Sequence, residues 1–272
     1  LNPLLKILIK LTNVFDGKFI IFAKKIMENR STKIENLNYE EVSSSVISTN
    51  ALFRQVFAWM FGGLLLTTIS SLFFGFNPDA MSYLITVSET GAKLNVLGWI
   101  VMLAPLGFVL TMSFAFNRLS FTQLAAIFVL YALINGISLG FIFYVYDIGS
   151  IFKAFLSASA LFGVMAVAGY TTKTDLTSLG RILFFGLIGI IIASLINFFT
   201  KSSTMDYIIS IFGVIIFTGL TAYDVQKIKA LSHQYDGSTA FKKIGIMGAL
   251  NLYLDFINLF LYLLRLFGNR RD

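Results

Sequence analysis

The chain has 272 residues, 57% hydrophobic and only 13% charged, with a mean hydropathy of +0.80. An ordinary soluble domain carries roughly 25% charge, so that class is excluded. With no cysteine and a single histidine, His233, there is no disulfide framework, thiolate zinc site or Cys or His nucleophile cluster to consider. The net charge of +7 would suit a nucleic-acid partner, but the basic residues sit in short segments between apolar runs, which is the pattern of membrane topology; no nucleic acid is expected.

Residues 1–50 read as an amino-terminal cytoplasmic segment. Its opening is interrupted by Lys6, Lys10, Asp16 and Lys18 and holds no run of ~18 apolar residues and no small-residue cleavage site, so neither a span nor a signal peptide is expected. Two readings stay open: an interfacial basic helix on an anionic leaflet, or a natural start at Met27 with residues 1–26 not native, the second being favoured.

Seven apolar runs follow, near 55–75, 94–116, 121–145, 151–170, 182–200, 207–226 and 243–267. Each is long enough to cross a ~30 Å hydrocarbon core, where a helix alone satisfies its own backbone. The expected fold is an all-α integral membrane protein, a seven-helix transmembrane domain over 51–268 with a short basic tail at 269–272. NRLS at 117–120, TTKTDLTSLGR at 171–181 and the long connection QKIKALSHQYDGSTAFKK at 226–243 are basic, while the other three connections hold only Lys93, Lys153 and Lys201. Basic loops stay inside, which places the amino terminus in the cytoplasm. Seven crossings then leave Arg265, Arg270 and Arg271 outside, against that rule. A re-entrant last segment with the tail inside therefore stays open beside the favoured seven full crossings.

Charge at bilayer depth costs several kcal/mol on any scale, so an intramembrane carboxylate is a candidate functional group. Asp255 lies near the middle of the last run. Asn251, Asp255, Asn258, Tyr262 and Arg265 follow spacings of four, three, four and three, which places all five on one helical face and turns the last helix into the bundle. Asp224 closes the sixth run about one turn before Lys227 and Lys229. It reads either as a headgroup-level residue paired with one of those lysines or as a functional group. Asn135, Gly136, Ser138 and Asn197 read as packing and interhelical hydrogen-bond residues. Arg118, the basic residue of the turn after the second span, reads from its position as a topology anchor.

The segments LINGISLGFIF at 133–143, GYTTKTDLTSLGRILFFGLIGIIIASLINFF at 169–199, FTGLTAYDVQKIK at 217–229 and ALNLYLDFINLFLYLLRLFG at 249–268 resemble the Bax inhibitor-1 family, also called the transmembrane Bax inhibitor motif family. The likeness runs from about Asn50 to Gly268. It implies a seven-helix bundle whose last helix is central and wrapped by the other six, and an acid-sensitive calcium leak channel. In such channels an aspartate on each of the last two helices shares a hydrogen bond; the matching positions are Asp224 in AYD and Asp255 in YLDF. The resemblance also implies an arginine near the end of the second helix that engages the sixth helix's carboxylate, with Arg118 as the matching position. Asn251, Asn258 and Tyr262 are then the supporting polar face. Two such carboxylates do not easily ionise together and titrate as a unit, which makes a pH switch without histidine. Calcium would touch Asp224 and Asp255 only in transit, as the permeating ion, and no cofactor is expected. The segment holding His233 and Asp236 looks longer than the family's shorter versions.

The alternative is a membrane interaction protein that modulates a membrane protease or a stress or cell-death partner, docking through the basic tail or the 226–243 connection. An enzyme is not expected. GxGD surroundings, HExxH and a phosphate loop are all missing from the sequence. The expected place is a bacterial cytoplasmic membrane.

Overall fold

A computed structural model of the chain describes residues 49–88, 91–232 and 238–271. Residues 1–48, and with them both readings of the amino terminus, lie outside the described residues, as do His233 and Asp236. Among the described residues, seven helices are long and apolar enough to cross a membrane. In chain order, α1 spans Thr49–Phe76. A short α2, Pro78–Ser82, and an antiparallel hairpin of β1 (Ile85–Ser88) and β2 (Gly91–Leu94) follow, with Ile85 opposite Leu94. Then come α3 (Val96–Phe114), α4 (Phe121–Leu139) with its short continuation α5 (Ile142–Val145), α6 (Ile148–Thr171), α7 (Thr177–Thr200), α8 (Ser203–Ser232) and α9 (Thr239–Phe267).

Local chemistry sets the helix ends. Asn95 caps α3 by accepting the Gly98 N–H at 2.9 Å. Ser120 and Gln123 form a reciprocal capping box at the start of α4, so the turn after α3 is short and fixed. At the other end of the bundle Lys201 adopts φ 51°, and Asn197 accepts the Ser202 N–H at 3.0 Å, turning α7 sharply into α8.

α9 is the central helix. Of its apolar window, 67% is buried, against 11% for α3 and for α7, which face outward. α4, α6 and α8 pack directly on α9, and α1 reaches it through Gln55 Nε2, which donates to Lys242 O at 2.8 Å. α3 packs on α4 and α7 on α8, so these two flank α9 across a gap instead of wrapping it tightly. Gly136 on α4 is required by close approach: a Cβ there would lie 2.5 Å from Thr67 O on α1. α3 contains Pro105, which has no N–H to donate to Val101 O one turn back. Ser138 Oγ on α4 supplies the missing donor at 2.8 Å.

One expectation needs correction, and of the two readings left open for the last segment the favoured full crossing is the one that fits. The connection at 226–243 is mostly helix, since α8 runs to Ser232 and α9 begins at Thr239. Lys227, Lys229, Lys242 and Lys243 mark the interface, not the helix ends, because long basic side chains reach headgroup depth from within a helix. The re-entrant last segment is not formed: α9 is continuous to Phe267. The basic tail instead folds onto the α5–α6 connection, with Arg271 N donating to Val145 O and Asp147 N to Asn269 O. Arg265 and Arg270 lie 3.2 and 3.5 Å from Asp206, and Arg271 lies 3.6 Å from Asp147. Neighbouring carboxylates thus accompany the arginines that conflicted with the charge rule. The hairpin after α2 was not expected at all.

Candidate functional site

The turn at 115–120, the 172–176 link, the end of α8 and the start of α9 lie at one end of the bundle, the basic-loop end; the arginine tail lies at the other, against Val145 and Asp147. Two faces of α9 have different environments. Tyr253 is fully buried and its hydroxyl lies 2.6 Å from Thr67 Oγ1 and 2.8 Å from Asn135 Nδ2, tying α9 to α1 and α4. Two residues on, Asp255 faces a cavity of about 870 Å³ between α3, α4, α7, α8 and α9. This is the gap left where α3 and α7 flank the central helix. Asn251, Asp255, Asn258 and Tyr262 all line it, as the helical spacing required.

Asp224 lines the same cavity from α8. It lies eight residues before the end of the helix. Asp255 is 4% exposed, and its Oδ2 is buried with no hydrogen-bond partner among the described residues. A buried carboxylate oxygen without a partner is costly and is retained where a proton, an ion or water uses it. Asn258 donates Nδ2 to Leu254 O at 2.8 Å, which engages its amide nitrogen within α9.

The cations fall elsewhere than expected. Arg118 is exposed in the turn between α3 and α4, makes no ion pair among the described residues and does not line the cavity. Phe116, two residues before it, packs on the core, with Lys243 Nζ 4.7 Å from its ring centroid. Arg181 and Lys227 line the cavity instead. The expected start of the fifth span at 182 hid Arg181, which lies one turn inside α7. Lys229, a possible partner for Asp224 by sequence, donates to Tyr170 O at 2.7 Å and lies over the Tyr170 ring. Among the described residues no three His, Cys, Asp or Glu side chains gather, so the carboxylate oxygens offered to a cation in this cavity come from Asp224 and Asp255.

Asp224 and Asp255 thus line one cavity beside a central last helix, but among the described residues no hydrogen bond joins them, unlike the shared bond the resemblance implies. Residues 49–272 match the family described as Inhibitor of apoptosis-promoting Bax1. The chain belongs to the Bax inhibitor-1 family. It is similar to the inner membrane protein YbhL of Escherichia coli strain K12, 43% identical over 235 residues, a match covering 84% of this chain and 97% of that protein. A protein of Borreliella burgdorferi is 39% identical over 238 residues, 87% of this chain and 99% of its own length. A Rickettsia prowazekii protein is 45% identical over 175 residues, 64% of this chain and 74% of its own. This Bax inhibitor-1 family member is thus an integral membrane protein with bacterial inner-membrane relatives.

Proposed function

We propose that the protein is an acid-sensitive calcium leak channel of a bacterial inner membrane, with its amino terminus cytoplasmic and the Asp224–Asp255 pair as its proton-responsive element. The observation that carries this reading is the buried, unpartnered Asp255 Oδ2 in the cavity that Asp224 also lines. A pair that takes up and releases protons as a unit biases two arrangements of α8 and α9 according to pH, a population shift set by their difference in proton affinity. The cations at the basic-loop end of the cavity are Arg181 and Lys227, and they take the place given earlier to Arg118. Calcium prefers oxygen ligands, and the carboxylates, followed along α9 by Asn258 and Tyr262, offer them in succession. Two carboxylates hold the ion too weakly to trap it. This reading assigns no catalytic step and no resident cofactor.

The test is calcium entry into dye-loaded liposomes containing purified protein, from acidic to neutral pH, for the native chain, Asp224→Asn and Asp255→Asn. A leak whose pH dependence changes in either variant is expected. A leak with the native pH profile in the double variant refutes the role of the pair. No leak at any pH from folded, inserted protein favours the partner-modulating alternative. Two of that alternative's docking elements are largely engaged already, the tail against Val145–Asp147 and much of the 226–243 segment in α8 and α9.

A further inference from the structure

The polar stripe of α9 passes two cavities. Beyond the large one, toward the tail end, lies a second of about 280 Å³ whose lining includes Ser194, Asn197, Asp206 and Arg265. Tyr262 lines both cavities. Its ring is stacked on Phe217 of α8, with centroids 5.8 Å apart and planes 26° apart. One turn along, the same ring lies against α8 at Gly213, where a Cβ would come within 2.5 Å of ring Cδ2. On the tail side the Arg265 guanidinium is 5.5 Å from the ring centroid. The residue between the two cavities is therefore an aromatic ring stacked on Phe217 and seated against α8 at Gly213, where the helix carries no side chain.

We propose that Tyr262 is the closed barrier of a single polar path along α9, with the Asp255 cavity and the Asp206–Arg265 cavity as vestibules on its two sides. A hydrated cation does not pass an aromatic ring packed against a helix, and it passes once the ring leaves its seat. Leaving needs no backbone movement. The ring turns about its side-chain bonds, so the barrier is a side-chain device distinct from any rearrangement of α8 and α9 driven by the carboxylate pair. Gly213 makes the closed position possible, since any larger residue there fills the seat. The conducting role rests on the channel reading above, whereas the barrier itself does not.

Because the chain contains no cysteine, introduced thiols report accessibility without background. Ser194→Cys reports the tail-side vestibule and Asn258→Cys the large cavity. Full-length protein in liposomes is treated with a small, membrane-impermeant methanethiosulfonate cation from the face on which Ser194→Cys reacts. With Tyr262 in place, Asn258→Cys is expected to stay unmodified from that face while Ser194→Cys is modified completely. Tyr262→Ala is expected to make Asn258→Cys reactive from there, Gly213→Ala to do so in part, and Tyr262→Phe to leave it protected because the ring, not the hydroxyl, fills the gap. An unchanged far-UV circular dichroism spectrum in the Tyr262→Ala background shows that the fold is kept. Rapid modification of Asn258→Cys with Tyr262 present, or continued protection in Tyr262→Ala with that spectrum unchanged, overturns the proposal. If the Tyr262→Ala path opens to the reagent but carries no calcium, the barrier stands and the channel reading falls.

Discussion

Ser138 is the strongest local test of how the bundle compensates a helix breaker in lipid. Pro105 has no N–H for Val101 O, and Ser138 Oγ donates to that oxygen at 2.8 Å from α4. In Ser138→Ala the carbonyl is left in hydrocarbon without water to replace the donor. An unsatisfied buried acceptor costs about 1–3 kcal/mol, and interhelical hydrogen bonds in membranes run from about 0.6 to 1.7, so a loss of about 1–2 kcal/mol is expected. That is roughly a 5- to 30-fold change in the folded-to-unfolded ratio, within reach of reversible unfolding by sodium dodecyl sulfate in mixed micelles. The decisive comparison is a double-mutant cycle with Pro105→Ala. That substitution returns an N–H to α3, so Val101 O regains its helical partner and Ser138→Ala should cost close to nothing. Equal cost in both backgrounds, or no cost in the native one, refutes the argument that the serine serves the proline.

Three further outcomes follow from the same geometry. Tyr253→Phe removes the hydroxyl that Thr67 and Asn135 share, and loss of about 1–3 kcal/mol is expected in the same unfolding assay. Gln226 clamps the α6–α7 link, accepting the Leu176 N–H and donating to Thr174 O, both at 2.8 Å; Gln226→Ala should speed amide exchange across residues 172–177 while leaving α9 protected. In that link Asp175 accepts hydrogen bonds from Thr177, and these hold its carboxyl below the usual aspartate range. Its folded-state pKa is depressed, so its stabilising effect is present above the unfolded value and is lost as pH falls through the folded one. Asp175→Ala should therefore lower the unfolding midpoint at neutral pH and match the native chain once the medium is acidic enough to protonate Asp175.

The sequence makes the spans legible because run length and the absence of water decide them residue by residue. It also makes the inward face of α9 legible, since Asn251, Asp255, Asn258 and Tyr262 recur at helical spacing and all four line one cavity. Charge is a poorer guide to helix ends. Lys227 and Lys229 suggested that α8 stops near 226, yet the helix continues to Ser232 because lysines extend to the interface without breaking it. The same shift concealed Arg181 and exaggerated Arg118. Other features depend on pairs far apart in sequence. Nothing near Tyr262 indicates that its ring needs Gly213, and nothing near Pro105 points to Ser138.

The two faces of α9 separate what holds the bundle from what its polar path requires. One face carries Leu250, Tyr253, Phe256 and Phe260, all nearly inaccessible, with Tyr253 bonded to α1 and α4 and the rings of Phe256 and Phe260 packed edge-on against Phe155 of α6. The other face has Asp255 and Asn258 over open space. Dense aromatic packing on one side lets the helix tolerate an unpartnered carboxylate on the other, because a buried polar group persists only where the surrounding structure over-determines its position. α3 and α7 border the cavity and pack on α4 and α8, so a rearrangement of α8 against α9 is passed on to α7. A shift of α7 carries Arg181 and Ser194 together, since both lie on that helix and line the large and the small cavity respectively. Events at the carboxylate pair and at the tail-side vestibule are in this way joined by one rigid element, with Tyr262 between them.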